Sequence, residues 1–347
     1  MSPILQSLAN GSARGFRSFV AGSASAIAIA HYNSPRVTAY PWSSASGFGT
    51  KYADPATLPN GTGNAVAFKA QGDAIAVGHY GIGPFVSAYP WSASGFGTKY
   101  SNPATTPTGA AFGVAFRAQG DAIAVAHLNS PFVSAYPWSS GFGTKYANPA
   151  TLPGYTGQSV NFSPSGNDIA IAGYGTPRVT AYPWSSGFGT KYANPATLPA
   201  GLGRGVDFSP SGNDVAVAHS TSPFISAYPW SSGFGTKYSD PATLPTGTGK
   251  GVAFKPQGDA IAVAHFNSPY ITAYPWSSGF GTKYANPATL PTDNGRGVSF
   301  SLQGDAIAVG HDLAPFVSAY PWSSGFGTKY ANPASALSGL GNGVDFN

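Results

Sequence analysis

The sequence contains no cysteine and no glutamate, and its single methionine is Met1. Without cysteine, neither a disulfide nor a thiolate metal site can form. All carboxylate side chains therefore come from twelve aspartates, and only 8% of the residues are charged. No apolar run approaches the length of a membrane-spanning helix. These absences argue against a disulfide scaffold, a thiol enzyme and a helical membrane protein.

The net charge of +5 comes from ten Lys and seven Arg against the twelve Asp. Seven of the lysines recur at one repeat position: Lys51, Lys99, Lys145, Lys191, Lys237, Lys283 and Lys329. The basic balance therefore indicates a symmetric ring of charge and no nucleic-acid patch. On an exposed outer strand, such lysines discourage pairing with other sheets.

One phrase, AYPWSSGFGTKYANPATLP, occurs at residues 135–153 and returns unchanged at 181–199 and 273–291. The tryptophans mark the period: Trp42, Trp91, Trp138, Trp184, Trp230, Trp276 and Trp322. Spacings of 49, 47 and then 46 residues, with several short strands in each unit, are typical of propeller blades. Gly 46 and Pro 31 supply the turns, and 42% hydrophobic residues supply the core.

Each unit divides into four predicted strands, for example Gly251–Phe254, Asp259–His265, Tyr270–Trp276 and Phe280–Pro287. In the second strand Ile and Val alternate with Ala, so one face is bulky and the other is small. No segment has the length and period of a helix. We therefore predict an all-β protein, a seven-bladed β-propeller with four antiparallel strands per blade.

Ring closure depends on an eighth copy of the first strand, Gly343–Phe346. We predict an N-terminal tail at 1–13 and one propeller at 14–347, closed by the C-terminal strand 343–346. The alternative is that the degenerate copy Arg14–Phe19 supplies that strand instead. Arg14 and Arg17 with the apolar stretch after them resemble a signal peptide, but we interpret them as part of the fold because the same strand recurs in later repeats.

The SPSGND turn after GVDF, with Trp closing the third strand, resembles WD40-like seven-bladed propellers, although the Trp-Asp and Gly-His pairs are missing. The whole unit is more similar to propeller repeats encoded by tailed bacteriophages. That resemblance implies a virion component such as a decoration protein, spike or fibre module, and it offers no catalytic residues to carry over.

Two sets of loops differ between the repeats: those joining strands two and three, and the links into strand one. Both sets belong on one side of the disc, so we predict a constant face and a variable face, with ligand binding on the variable one; relaxed drift of exposed loops is the alternative. The tentative ligand-binding residues are Arg36, Tyr80, Arg178, Arg204, Lys250, Phe266 and Arg296. The cations favour an anionic glycan or a lipopolysaccharide phosphate, or they are a scattered, solvated set.

Six histidines end strand two, and Gly173 takes the seventh place. On separate blades they cannot converge on one ion, so we expect each to form a hydrogen bond within its own blade and we predict no metal and no cofactor. GTGKG at 247–251 lacks the following Ser or Thr and the helix of a phosphate loop.

We therefore expect a non-catalytic virion structural protein, exposed on the particle surface, that presents a rigid propeller. Its expected partners are other virion proteins or copies of itself and host cell-surface glycans, with no nucleic acid and no membrane insertion. A soluble propeller lectin or a protein-interaction scaffold is the alternative, and an enzyme using the central pocket is a further one. Against an enzyme stands the lack of Glu, Cys and any acid–base pair that breaks the seven-fold pattern.

Overall fold

The repeats form antiparallel sheets because β-branched and aromatic residues alternate with alanine along each strand. The computed structural model describes residues 25–347. The predicted tail at 1–13 and the copy at 14–19 lie outside these residues.

The first strands are β1 (Ala26–His31), β2 (Val37–Ser43), β3 (Gly47–Phe48), β4 (Gly61–Phe68), β5 (Ala74–Gly81), β6 (Val86–Ser92), β7 (Gly95–Phe96), β8 (Ala111–Phe116), β9 (Ala122–His127), β10 (Val133–Pro137) and β11 (Gly157–Phe162). The others are β12 (Asp168–Gly173), β13 (Val179–Pro183), β14 (Gly203–Phe208), β15 (Asp214–His219), β16 (Ile225–Pro229), β17 (Gly249–Phe254), β18 (Ala260–His265), β19 (Ile271–Pro275), β20 (Gly295–Phe300), β21 (Ala306–His311), β22 (Val317–Pro321) and β23 (Gly341–Phe346). Residues 25–347 contain no helix that could cross a membrane.

The strands form seven antiparallel sheets, so the predicted seven-bladed propeller is confirmed. Blade 1 has the order β23-β1-β2-β3 and blade 2 the order β4-β5-β6-β7. Blades 3 to 7 follow in chain order and begin at β8, β11, β14, β17 and β20. These five strands, with β23 and β4, contact one another in sequence around the ring, and β23 contacts β4. They are therefore the inner strands, and they surround the propeller axis.

The C-terminal strand β23 pairs antiparallel with β1, with Ile27 opposite Phe346 and Ile29 opposite Val344. Phe346 is 1% exposed and meets the ring of Trp42 edge-on, at 5.0 Å between ring centroids. Blade 1 thus combines the end of the chain with strands near its beginning, so the last strand fixes the first blade.

The fourth strand is shorter than the predicted Phe280–Pro287. In blade 6 it pairs as a single bridge between Phe280 and Trp276, and β3 and β7 have two residues each. Beyond the bridge the chain still donates two backbone hydrogen bonds to the third strand, from Gly281 N–H to Pro275 O at 2.9 Å and from Tyr284 N–H to Ala273 O at 3.0 Å. Glycine and proline interrupt a regular ladder here, because proline has no N–H to donate and glycine weakens the strand.

The core consists of seven clusters, each shared by two neighbouring blades. In one of them, the alanine face of β9 and β10 packs against Ile169, Ile171, Tyr182 and Trp184 of the next blade. An isolated blade would expose both of its apolar faces to water, which is unfavourable in proportion to the area exposed. Closure of the ring therefore stabilises every blade.

Candidate functional site

The loops that vary between repeats come together on one face of the disc. Backbone hydrogen bonds join the loop after the second strand to the link before the first strand, as from Tyr174 N–H to Thr156 O at 3.2 Å and from Phe266 N–H to Thr248 O at 3.0 Å. The residues that distinguish one blade from another therefore surround the opening of the central channel on this face.

The second residue of each inner strand lies at that opening. In β4, which begins two residues earlier than the matching strands, it is the fourth residue. These seven residues line a cavity of about 160 Å³ and are Asn64, Phe112, Gln158, Arg204, Lys250, Arg296 and Asn342. We call this ring the axial mouth. Its composition is not symmetric, because three cations follow one another on blades 5, 6 and 7, and the remaining blades contribute amides and one phenylalanine. This position therefore breaks the seven-fold pattern.

A second cavity, of about 250 Å³, opens toward the constant face. Both cavities are bordered by the same ring of valines: Val66, Val114, Val160, Val206, Val252, Val298 and Val344. In the second cavity, Asp207 accepts hydrogen bonds from Asn161 Nδ2 at 2.6 Å and from the backbone N–H of Phe254 in the next blade at 2.8 Å. The carboxylates there serve to join neighbouring blades, so the axial mouth is the better candidate site.

Close approach of the inner strands brings the three cations together. A Cβ atom added at Gly251 would lie 2.7 Å from the backbone oxygen of Arg296, a separation that real Cβ atoms essentially never show. Glycine is therefore required at this position, because the strands of blades 6 and 7 touch backbone to backbone. The side chains of Lys250 and Arg296 consequently leave adjacent strands into the same small space.

Arg204 has an unfilled hydrogen-bonding position. Its Nη1 donates to the hydroxyl of Tyr174 at 2.8 Å, and its guanidinium lies 5.1 Å from the centroid of that ring. Its Nε is buried and has no acceptor within the part of the chain that the structure describes. A buried donor without a partner costs about 1–3 kcal/mol, so Arg204 carries an unsatisfied hydrogen-bond donor beside the mouth.

Arg296 is partly neutralised by Asp312, to which its Nε donates. Asn294 Nδ2 donates to the other oxygen of Asp312 at 3.3 Å. The ring of Phe266 lies under two cations at once, 5.9 Å from the Arg296 guanidinium and 5.7 Å from Lys250 Nζ. Attraction between cations and an aromatic face helps to hold both side chains over one ring.

Lys250 is partly buried between the two arginines. Burial, and after it the positive charges of Arg204 and Arg296, lower its pKa to about 7, whereas Asp312 acts in the opposite direction. Near neutral pH a large fraction of Lys250 is therefore the uncharged amine, which can accept a proton or act as a nucleophile.

Of the seven predicted ligand-binding residues, the structure brings together Arg204, Lys250, Phe266 and Arg296. Phe266 contacts Lys250 and Arg296 through its ring but does not itself line the mouth. Arg36, Tyr80 and Arg178 are on the same face and do not line the mouth. Arg36 donates to the backbone oxygen of Tyr32, and Arg178 donates to that of Tyr174 at 2.6 Å. Tyr80 is 56% exposed near the end of β5, which is longer than the matching strands of other blades.

Sequence reasoning missed the polar remainder of the mouth, Asn64, Gln158 and Asn342. Asn64 Nδ2 donates to Ala111 O, and Asn342 Nδ2 donates to Gly63 O, both at 2.8 Å on the next blade. The signal was available, since all three residues occupy the repeat position of Arg204. The sequence did not show that this position faces the axis.

The histidines lie outside the mouth and are fully buried in their blades. Each Nε2 shares a hydrogen bond of 2.8–3.2 Å with a Ser or Thr hydroxyl on the adjacent strand, the pairs being His31–Thr38, His79–Ser87, His127–Ser134, His219–Ser226, His265–Thr272 and His311–Ser318. The predicted hydrogen bonds within each blade are therefore present, with hydroxyl groups as the main partners. Burial lowers the histidine pKa, to about 4 in five of the six.

No protein-family model and no curated protein matches the chain. Solved structures do. A proposed 6-phosphogluconolactonase from Bacteroides fragilis is 12% identical with a TM-score of 0.74, over 95% of this chain and 99% of that one. The periplasmic gluconolactonase PpgL of Pseudomonas aeruginosa is 14% identical with a TM-score of 0.67, over 93% and 99%. The Cps50 (Swd1) β-propeller domain of Myceliophteria thermophila is 11% identical with a TM-score of 0.56, over 79% and 88%.

These comparisons overturn the expectation of a non-catalytic virion structural protein. Two of these three structures carry an activity in their names, and both names are lactonases; none of the three is named as a phage protein. The argument against an enzyme was that no acid–base pair breaks the seven-fold pattern, whereas the cations Arg204, Lys250 and Arg296 break that pattern at the axis. The expected virion location and glycan partners stay predictions. At these identities the likeness shows the fold, and the chain is a seven-bladed β-propeller similar in architecture to lactonase and WD40-type propellers.

Proposed function

We propose that this protein is a hydrolase that opens the lactone ring of an acidic sugar derivative bound at the axial mouth. The observation that carries the proposal is the position of Lys250 between Arg204 and Arg296, where its amine can lose its proton near neutral pH. The names of structural neighbours, 6-phosphogluconolactonase and gluconolactonase, favour this reaction class. A lactone needs a base to activate water and a positive charge to stabilise the oxyanion, and the mouth offers both.

The arginines would bind the acidic group of the substrate. Arg204 and Arg296 line the mouth, and guanidinium groups bind phosphate and carboxylate through charge-assisted hydrogen bonds. The amide oxygens of Asn64 and Asn342 would accept hydrogen bonds from sugar hydroxyls, since their nitrogens are already bonded to the next blade.

Lys250 would act as the general base. Its uncharged amine accepts a proton from water as the water oxygen attacks the lactone carbonyl carbon. The ring C–O bond then breaks, and the protonated amine returns a proton to the departing alkoxide. Because this role requires the uncharged amine, kcat/KM should rise with pH through about 7, the pKa of Lys250.

The experiment is proton release in a pH-stat with 6-phosphogluconolactone and with glucono-δ-lactone, after subtraction of spontaneous hydrolysis. We expect K250M to lower kcat/KM by roughly 100-fold or more. R204Q should raise KM for the phosphorylated lactone more than for the uncharged one. K191M and R117Q are matched controls outside the mouth and should retain wild-type rates. A wild-type protein that accelerates neither lactone, or a fully active K250M, would refute the proposal.

A further inference from the structure

Lys250 differs from the other nine lysines of the chain in what surrounds it. The seven lysines that recur at one repeat position, from Lys51 to Lys329, are called the edge lysines here. Each donates to an Asn or Asp side chain three residues later, as Lys51 does to Asp54 at 2.9 Å. Lys69 and Lys255 form ion pairs with Asp73 and Asp259, each at 2.9 Å. Lys250 has no hydrogen-bond or ion-pair partner among residues 25–347, so its amine is free for a ligand.

The surroundings of Lys250 fit a small anion with a reactive carbon. Arg204 and Arg296 flank it on the neighbouring strands, and one face is covered by the Phe266 ring. Asp312 is the carboxylate whose charge raises the pKa of Lys250. It already accepts hydrogen bonds from Arg296 and Asn294. An anionic group placed on the arginines would hold the rest of a short molecule against Lys250 Nζ.

We propose that Lys250 forms a Schiff base with the carbonyl carbon of a small anionic aldehyde or ketone whose acidic group is bound by Arg204 and Arg296. This reactivity goes beyond lactone hydrolysis and does not depend on it. A lactone is an ester and loses its ring oxygen as an alkoxide, whereas an aldehyde or ketone loses its carbonyl oxygen as water.

The chemistry balances without any additional reagent. The uncharged amine donates its electron pair to the carbonyl carbon, a C–N bond forms, and the carbonyl oxygen becomes a hydroxyl after proton transfer from nitrogen. The hydroxyl then leaves as water while nitrogen forms the second bond to carbon. The products are an imine and one water, and the adjacent arginines favour the deprotonated amine with which the reaction starts.

The probe is pyridoxal 5′-phosphate, which carries both an aldehyde and a phosphate. The folded wild-type chain is incubated with it at pH 7.5, reduced with borohydride, digested and mapped by mass spectrometry. At that pH an ordinary lysine is roughly 0.1% uncharged, and Lys250 is mostly uncharged. We expect early labelling of Lys250 at about 100 times the mean rate of the other nine lysines.

Two comparisons test the geometry. Pyridoxal, which lacks the phosphate, should label Lys250 at least about 10-fold more slowly, because it cannot form the charge-assisted contacts with the arginines. R204Q should slow labelling by the phosphorylated probe to a similar extent for the same reason. R117Q, at an arginine of the constant face that pairs with Asp121, is the matched control and should label normally. Labelling that spreads evenly over the edge lysines, or a Lys250 peptide that stays unmodified, would overturn the inference. The labelling map of the wild-type chain tests the Schiff-base inference without a lactone. Absence of lactone hydrolysis would therefore leave this inference standing, and absence of labelling would leave the proposed hydrolase activity standing.

Discussion

Acidification perturbs six buried side chains at once. Five histidines have a pKa lowered by burial to about 4, from an ordinary value of 6.5, and the sixth is lowered as well. Because the folded state prefers the neutral imidazole, this stabilisation is complete above about pH 6.5 and is lost as the pH falls from 6.5 toward 4. The stability of the propeller should therefore fall within that window.

The magnitude follows from the difference in proton binding. Between pH 7 and pH 5, a histidine that titrates at 6.5 unfolded and at 4 folded loses about 2 kcal/mol. Five such residues sum to about 10 kcal/mol, which is comparable with the whole stability of an ordinary domain.

The assay is urea unfolding followed by tryptophan fluorescence at half-unit steps from pH 7.5 to pH 4.5. The seven tryptophans are at most 7% exposed and report directly on the blades. We expect the urea midpoint to fall steeply below pH 6.5, and H127Q to reduce the slope of stability with pH by about one proton, or ~1.4 kcal/mol per pH unit. Equal midpoints at pH 7 and pH 5 would show that the burial argument is wrong.

Two further substitutions test the closure of the ring and a hydrogen bond that holds the link between two blades. F346A should destabilise the chain by about 3–5 kcal/mol in urea unfolding, because Phe346 is 1% exposed in the strand that completes blade 1; L313A, at a residue 56% exposed, is the control and should change little. Y136F should cost about 1–2 kcal/mol, because the Tyr136 hydroxyl donates to Thr105 O at 2.9 Å and its loss leaves that carbonyl unpaired. An unchanged thermal midpoint for Y136F would mean that water replaces this bond.

The candidate site shows where prediction from sequence stops. The sequence places Arg204, Lys250 and Arg296 at equivalent repeat positions, but by itself it favours interpreting them as a scattered, solvated set of charges. Whether a repeated position faces the axis depends on which strand is innermost and on which end of it opens to the variable face. Likewise the link between Arg296 and Asp312, and the contact of Arg204 with Tyr174 across a blade boundary, join segments that no local pattern connects.

The sequence by itself determined the architecture, because a period of 46 residues with strands apolar on both faces has few ways to bury them other than a closed ring. It also specified the alternation of small and bulky faces that lets neighbouring blades pack. Only the tertiary structure decided which residues meet at the axis and what their charges do to one another. The lowered pKa of Lys250 has burial and two arginines from other blades as its main causes, and these act only when seven inner strands stand side by side.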